Sequence, residues 1–360
     1  MKIALISRST LYTQPGGDTI QVESTAAALE NLGHKIFIVL AGQKLPEDIE
    51  LIHGFNLGRP ADLLPYFKNF KGKKVLSTLF VDYSSAYTNR FPKLSRILGT
   101  HGMEWFKAIT RGINNSDNFP GFSFLFQGQK RSMVQLLTKA DLVLTSTVSE
   151  FERIQQWNSI LGKSLKEKHL VIPLGISNVF INTPKNNKER NGLLMVGRLE
   201  FIKNQHTVIQ WANQYGWPLT VVGDSNKNQK GYAKYCNSIA GPTVTFLAHQ
   251  DKGKVVKLMD EHSCLVIPSL FETYSLVGWE AAARGLSVVA NDSADMSESL
   301  ASIATLVHIE SETDFIAAIE AGLKGQKKSQ VQFEHYTWDH ISKRLMKLIA
   351  DSPFPFQRSL

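Results

Sequence analysis

The sequence predicts an α/β protein built from two Rossmann-like domains, each with a parallel sheet, that face each other across a cleft. Short apolar runs alternate with helix-length segments along the chain, which is the pattern of repeated β-α-β units. The length of 360 residues exceeds the roughly 250–300 residues that one hydrophobic core accommodates. A polar stretch over 182–192 separates two series of such runs.

These observations place an N-terminal Rossmann-like domain at 1–174 and a C-terminal one at 175–335. The remaining residues, 336–360, are expected to form a helix and a tail that cross back to the first domain. The helical pattern covers Trp338–Ala350, and the prolines that follow it cannot continue a helix.

The first domain opens with a strand at Lys2–Ser7, a loop containing Gly16-Gly17, and a helix whose apolar residues recur at helical spacing over Thr19–Leu32. Gly33 ends that helix. The other apolar runs of this domain predict strands at Lys35–Leu40, Leu51–Gly54, Val75–Leu79, Ile97–Thr100, Leu142–Thr145 and Leu170–Ile172.

The second domain repeats the alternation. Because ligands of parallel sheets bind at the carboxyl ends of the strands, we expect the chemistry in the strand-to-helix loops. The predicted strands are Leu193–Val196, Leu219–Val222, Val244–Leu247, Cys264–Ile267 and Ser287–Ala290.

Composition excludes several classes of protein. With 43% hydrophobic and 20% charged residues, the chain does not fit a disordered, collagenous or coiled-coil protein. The net charge of +8 is concentrated in residues 1–170, which hold 21 Lys and Arg against 14 Asp and Glu. That excess indicates a face that meets phosphates, acidic lipids or nucleic acid, and a solvated basic surface explains it equally well. A pure nucleic-acid or anionic-polymer binder is disfavoured because no motif of that kind is present, and no nucleic-acid partner is expected.

The cysteine content and the N-terminus predict a cytoplasmic protein. Cys236 and Cys264 are too few for a disulfide framework, which suits a reducing compartment. Arg8 ends the first apolar stretch before it reaches the length of a signal sequence. No apolar run reaches the roughly 18 residues of a membrane span, so any membrane contact would be peripheral.

The most informative segment is 268–285, which follows the predicted strand Cys264–Ile267. A helix that begins near Thr273 would direct its free N–H groups toward an anion. Glu272 and Glu280 are eight residues apart, a rise of about 12 Å on a helix, which matches the length of a sugar, diphosphate and ribose.

In that arrangement each glutamate takes hydroxyls at one end of the ligand, and the diphosphate lies over Tyr274, Ser275 and Leu276. The alternative is that Glu272 caps the helix and Glu280 is solvated. Glu280 stands in an apolar run, where a carboxylate needs a partner.

Three further features fit a phosphate ligand. Arg198 and Lys203 follow a predicted strand and a glycine, and together they can neutralise a diphosphate; the alternative is surface charge. Gly16-Gly17 allows backbone N–H groups to approach a phosphate, although it fits a tight turn equally well. His101 follows a predicted strand, where it can bond a hydroxyl or a phosphate or serve a structural role.

In their order and spacing these features resemble the family 4 retaining glycosyltransferases, which have the two-domain GT-B fold. The resemblance covers nearly the whole chain. Its most specific element is the Glu-x7-Glu signature, matched by Glu272 and Glu280, together with Val196-Gly197-Arg198-Leu199 and Lys203.

The resemblance implies a role for each of these residues. Arg198 and Lys203 would bind the donor diphosphate, Glu280 the ribose hydroxyls and Glu272 the sugar hydroxyls. The Gly16-Gly17 loop and the amides near Ser275 and Leu276 would complete the phosphate cradle. His101 would lie near the sugar and the acceptor hydroxyl.

The implied reaction transfers a hexose-type sugar from a nucleotide-diphosphate sugar to an acceptor hydroxyl, with retention of configuration. The implied acceptor is a growing cell-surface polysaccharide or a lipid-linked glycan. The sequence contains no Asp-x-Asp, so we expect no metal and no cofactor, with the positive side chains in the metal's place. Ser293-Ala294-Asp295-Met296 departs from the family pattern and leaves the identity of the sugar open.

The acceptor is expected on the basic first domain. An anionic membrane could bind this domain through basic residues and an aromatic loop. The basic residues are the lysines at 68, 71, 73 and 74 and the pair Lys130-Arg131, and the expected loop over 114–129 holds Phe119 and Phe126. The alternative is that these phenylalanines pack in the core. A glycan phosphorylase or a sugar-nucleotide epimerase would use the same phosphate contacts and stays an open alternative.

Overall fold

A computed structural model describes residues 1–81, 92–113, 121–157, 162–184, 189–328 and 331–351. The chain divides into two compact units, one formed by Met1–Pro173 with the segment from Trp338, the other by Leu174–Thr337. Each unit contains a six-stranded sheet whose paired strands run parallel. The predicted two-domain α/β fold class is confirmed.

The sheet of the first unit has the spatial order β2-β1-β3-β4-β5-β6. Its strands are β1 (Lys2–Ser7), β2 (Lys35–Leu40), β3 (Leu51–Phe55), β4 (Lys73–Ser77), β5 (Leu142–Thr145) and β6 (His169–Val171). The helices of this unit are α1 (Gly17–Asn31), α2 (Pro60–Asn69), α3 (Pro92–Ile113), α4 (Phe122–Lys139), α5 (Val148–Trp157), α6 (Gly162–Glu167) and α14 (Trp338–Asp351).

Alternate residues of β1 enter two different cores, because successive side chains of a strand point to opposite faces of its sheet. Ile3 and Leu5 pack in one cluster with residues of α1 and α14, including Leu29 and Ile341. Ala4 and Ile6 belong to the opposite cluster, with residues of α2, α4 and α5. Burial on both faces explains why β1 reads as a continuous apolar run.

Two predictions for the first unit are wrong. Ile97–Thr100 is not a strand but part of α3, which has a kink at Gly99 (φ 62°). Short apolar runs of this kind fit a helix as well as a strand. The segment expected as a loop over 114–129 is helical from Phe122 onward. Residues 114–120, with Phe119, and the C-terminal prolines lie outside the described residues.

The sheet of the second unit has the order β12-β11-β10-β7-β8-β9. Its strands are β7 (Leu193–Val196), β8 (Leu219–Val222), β9 (Val244–Leu247), β10 (Cys264–Ile267), β11 (Ser287–Asn291) and β12 (Thr305–Val307), the last not predicted from the sequence. The helices are α7 (Val179–Asn182), α8 (Gln205–Tyr215), α9 (Lys230–Ser238), α10 (Lys252–Glu261), α11 (Leu276–Arg284), α12 (Ala294–Leu300) and α13 (Glu312–Leu323).

Arg284 secures the end of α11 inside the second unit. Its guanidinium is fully buried and donates two hydrogen bonds to Asp260 of α10, at 3.0 and 2.6 Å. It also donates to the carbonyl of Thr183, beyond α7, at 2.6 Å. Three segments are therefore joined through one buried, paired charge, and α11 keeps a fixed position.

Among the described residues, we find no helix with the length and apolar character that crossing a membrane requires.

Candidate functional site

The loops that follow β7 and β8 are packed backbone against backbone. Leu199 N donates to Asp224 O at 3.0 Å, and Gly197 and Gly223 have φ angles of 155° and 140°. A Cβ atom on Gly223 would lie 2.2 Å from Gly197 O. Only glycine permits both this backbone conformation and this approach, so the pair sets the course of the loop that carries Arg198 and Lys203.

The loop after β7 is also joined to the loop after β10. Leu270 N donates to Ile202 O at 2.8 Å. The ammonium of Lys203 donates to Glu272 Oε1 in a close ion pair. The structure thus brings together two residues that the sequence assigned to one ligand.

Three polar atoms before α11 are buried and have no hydrogen-bond partner among the described residues: Glu272 Oε2, Tyr274 Oη and Ser275 Oγ. Burial raises the pKa of Tyr274, which therefore keeps its hydroxyl proton as a donor. The free N–H groups of the first turn of α11 lie in the same segment. A buried polar atom without a partner is costly, so these atoms indicate a site for a polar ligand.

The expected geometry of the two glutamates is wrong in one respect. Helix α11 begins at Leu276, with Ser275 as its N-cap, and not near Thr273. Glu272 therefore lies in the loop and only Glu280 in the helix, so a helical rise does not measure their separation. The loop gives Glu272 its access to Lys203.

Glu280 is the fifth residue of α11 and is partly buried. Burial raises the pKa of its carboxyl group to about 8, and the positive charge of Lys252 opposes the shift only in part. Side chains of a helix lean toward its N-terminus, and the turn that precedes Glu280 contains Val277. Val277 lines the same pocket as Lys203 and Glu272.

That pocket contains a residue that the sequence did not single out. Gln205, the first residue of α8, lines it with Gly197, Lys203, Ser269 and Glu272. Its Nε2 atom donates to Arg198 O at 2.8 Å, and its Oε1 atom is buried without a partner among the described residues. One sign of its role was present in the sequence, namely its place two residues after Lys203. Glutamine side chains are usually exposed, so this sign was not sufficient to assign Gln205 to a site.

Arg198 lies beside the pocket but does not join the Lys203–Glu272 pair. Its Nε atom contacts Glu200 Oε1 at 3.1 Å, and 39% of the side chain is exposed. Asn226 Nδ2 donates to the same Glu200 oxygen at 3.2 Å. The guanidinium is thus placed at the surface of the loop, with N–H groups available to a ligand.

Gly16, Gly17 and His101 lie in the first unit. Gly16 is the N-cap of α1, and Gly17 begins that helix. His101 lies inside α3, not directly after a strand as expected, because the run before it is helical. Its ring packs edge-on against Trp157, with centroids 4.3 Å apart.

Within the described parts of the chain, His, Cys, Asp and Glu side chains form no group of three or more that could hold a metal ion.

Known proteins resemble the chain in two ways. Residues 178–337 match the family model described as glycosyl transferases group 1. No curated protein matches the sequence. Among solved structures, a sucrose-phosphate synthase from Thermosynechococcus elongatus is similar with a TM-score of 0.68 at 16% identity, covering 97% of this chain and 98% of that chain.

Two further structures share the fold. The Anabaena protein HepE, solved in complex with UDP and glucose, has a TM-score of 0.67 at 14% identity and covers 98% of this chain and 100% of that chain. The lipopolysaccharide outer core galactosyltransferase WaaB, in its apo form, has a TM-score of 0.57 at 18% identity, covering 97% and 99%. These likenesses show that the chain has the two-domain GT-B fold, and the match to the glycosyl transferases group 1 model covers residues 178–337.

Proposed function

We propose that the chain transfers a hexose-type sugar from a nucleotide-diphosphate sugar to an acceptor hydroxyl, with retention of configuration at the sugar. One observation carries the proposal: the Lys203–Glu272 pair stands beside buried polar atoms that lack partners, at the start of α11, inside the segment that matches the family. These groups offer positive charge for the diphosphate of a nucleotide sugar and carboxylate oxygens for its hydroxyls.

The donor diphosphate is the ligand that suits the positive groups. The ammonium of Lys203 and the free amides of α11 attract an anion, and Arg198 adds N–H groups from the neighbouring loop. Negative charge grows on the diphosphate as the sugar departs. Positive groups held in place before the reaction stabilise that charge without reorganising.

Hydroxyl groups suit the two glutamates. In the proposed complex Glu272 Oε1 remains with Lys203, and Oε2 accepts a hydrogen bond from a sugar hydroxyl. Glu280 accepts hydrogen bonds from the ribose, which favours its ionised form over the protonated form that burial favours in the free protein.

The first unit is proposed to supply the acceptor side. His101 lies near the acceptor hydroxyl in this proposal, and the Gly16-Gly17 amides assist the phosphates. In a retaining transfer of this kind the departing phosphate takes the acceptor proton on the same face of the sugar. Arg198 and Lys203 replace a catalytic metal, and no cofactor takes part.

The proposed donor is UDP-glucose in the first instance, because HepE of similar fold was solved with UDP-glucose. The proposed acceptor is a cell-surface polysaccharide or a lipid-linked glycan. The proposed site of action is the cytoplasm, with peripheral contact at an anionic membrane. Phe126, 87% exposed, and the nearby Lys130-Arg131 pair support that contact, whereas the burial of Phe124 opposes it.

Calorimetric titration of the full chain with UDP-, GDP-, ADP- and dTDP-sugars tests the donor. One nucleotide should bind at least about tenfold more tightly than the others, and this binding should weaken in Glu280→Ala. Glu272→Ala should mainly slow turnover. Equal binding of all four, or none, contradicts the proposal.

A second assay separates the rival reactions. Nuclear magnetic resonance of the product reports whether the anomeric configuration of the donor is kept. Turnover with excess chelator and without added metal tests metal independence. Conversion of the nucleotide sugar into its epimer without acceptor would favour an epimerase, and release of a sugar phosphate from glycan and phosphate would favour a phosphorylase.

A further inference from the structure

Four aromatic rings of the second unit gather next to Lys203. Phe201 and His206 lie on either side of that lysine in the chain, and Tyr232 and Tyr235 come from α9. Ring centroids are 6.0 Å apart for Phe201 and His206, with an angle of 17° between the rings, and 5.9 Å apart for His206 and Tyr235. We call these four residues the aromatic platform.

The platform is open to solvent. Phe201 is 59% exposed and Tyr235 is 44% exposed. Contact of these apolar ring faces with water is unfavourable in free energy, and within the described residues no side chain covers them. Leu270, also exposed, donates its backbone N–H to the carbonyl of Ile202, the residue that follows Phe201 in the chain. The exposed apolar surface therefore adjoins the pocket that contains Lys203 and Glu272.

The rings have polar edges as well as apolar faces. Tyr232 Oη lies 3.1 Å from His206 Nδ1 and accepts from His206 N at 3.2 Å. Burial lowers the pKa of His206, so its ring is neutral at pH 7 and does not repel an apolar face. Tyr235 adds a hydroxyl group at the surface.

The size of the surface discriminates between partners. Aromatic side chains bury about 150–250 Å² each, so the exposed fractions of Phe201 and Tyr235 offer roughly 200 Å² together. A stable protein interface needs about 800 Å² on each partner. The area suits one or two sugar rings, whose C–H faces are apolar and whose rims carry hydroxyls.

We propose that the aromatic platform binds carbohydrate, with Phe201 and Tyr235 packed against the C–H faces of pyranose rings and the polar ring edges bonded to their hydroxyls. These rings belong to the acceptor glycan but are not the sugar residue that carries the acceptor hydroxyl, which the proposed function assigns to the first unit. This inference rests on the proposed function for the identity of the glycan as the acceptor. The binding itself requires no nucleotide sugar and no turnover.

The test measures binding to the full chain by saturation-transfer difference nuclear magnetic resonance. The probes are neutral oligosaccharides of glucose with α-1,4, α-1,6 and β-1,4 linkages and an oligosaccharide of N-acetylglucosamine. At least one probe should bind, and Phe201→Ala and Tyr235→Ala should each raise its Kd by about fivefold or more. Affinity for UDP should stay unchanged in both variants.

Tyr215→Ala is the matched control. Tyr215 is as exposed as Tyr235, but its ring stacks on Trp217 with centroids 4.9 Å apart, away from the platform contacts. This variant should bind the oligosaccharide like the unaltered chain.

Four results would overturn the inference. The first is that no probe binds, and the second is that both platform variants bind the probe as tightly as the unaltered chain. The third is a loss of UDP affinity in those variants, which would assign the rings to the nucleotide. The fourth is a change of oligomeric state in Phe201→Ala. Failure of the proposed function looks different, because oligosaccharide binding would then persist without nucleotide binding or turnover.

Discussion

Lys203 and Glu272, 69 residues apart in the chain, form an ion pair between the loops that follow β7 and β10. Both loops begin at the carboxyl edge of one parallel sheet, where β7 and β10 are neighbours, so the pair is a consequence of the strand order. In the free chain each residue holds the other in place. A bound diphosphate would add a third member to this arrangement, whereas loss of either residue would leave the other charge partly buried.

Replacement of the lysine tests its contact with phosphate. Lys203→Ala should raise the Kd for UDP about 10- to 100-fold, because a charge-assisted hydrogen bond contributes about 1.5–3 kcal/mol. Isothermal titration calorimetry measures the change. Lys254→Ala is the control, since Lys254 pairs with Asp251 at 3.9 Å on an exposed surface and should change the Kd less than twofold. Equal effects of the two replacements would remove Lys203 from the site.

Gln205 should position the Arg198 loop. Gln205→Leu removes the donor to Arg198 O, and we expect a loss of about 1 kcal/mol in unfolding free energy together with a roughly 5- to 10-fold weaker UDP affinity. Gln205→Glu retains an acceptor but adds a negative charge beside the proposed phosphates, so it should weaken UDP binding more than Gln205→Leu does. Urea unfolding and calorimetry separate the two effects. The opposite order of affinities would place Gln205 away from the phosphates.

The pH dependence of donor binding should report Glu280. Its carboxyl pKa is about 8 in the free protein, so the group is mostly protonated at pH 6 and must ionise to accept from two ribose hydroxyls. Affinity for UDP-glucose should rise with pH by up to about tenfold per unit below pH 8 and then level off. UDP-glucose is the suitable probe because its diphosphate has no ionisation in this range. Glu280→Gln should flatten the profile, and a slope that survives this replacement would assign the titration to another group.

The unfolding free energy should also depend on the ionisation of Glu280, but it should fall as the pH rises, whereas donor affinity increases. A carboxyl group whose pKa is raised by folding stabilises the fold below its unfolded pKa of about 4.3, and this contribution is lost as the pH rises through about 8. Urea unfolding between pH 5 and pH 9 should therefore show a decline of roughly 4 kcal/mol, about 1.4 kcal/mol for each pH unit up to pH 8, that Glu280→Gln lacks. An equal decline in both proteins would contradict the assignment.

Gly223 should tolerate no side chain. In Gly223→Ala the new Cβ atom would lie 2.2 Å from Gly197 O, at a φ of 140° that alanine avoids. We expect a loss of about 2–4 kcal/mol in unfolding free energy, with weaker UDP binding as the Arg198 loop shifts. Gly231→Ala, in open space on α9, should leave stability equal or raise it by up to about 0.5 kcal/mol. Similar melting temperatures for the two variants would argue against close packing of the loops.

The sequence by itself determined the fold class and most of the strands. Strands such as β1 and β10 are buried on both faces of a parallel sheet, so each reads as an uninterrupted apolar run of the right length. Helix ends were also predictable from single residues. Gly285, for example, ends α11 with a φ of 79°, a conformation that glycine adopts readily. Arg198, Lys203 and Glu272 were found because residue types that bind phosphate and hydroxyls follow such strands directly.

Tertiary structure decided what local pattern leaves open. The apolar run Ile97–Thr100 fits either a strand or a helix by its pattern, and in the structure it lies in helix α3. The start of α11, the ion pair of Lys203 with Glu272, and the burial of Gln205 depend on residues far apart in the chain. Spacing along the sequence carries information only about neighbours within a few turns. Which polar atoms find a partner and which stay buried without one is settled when the strands take their order in the sheet.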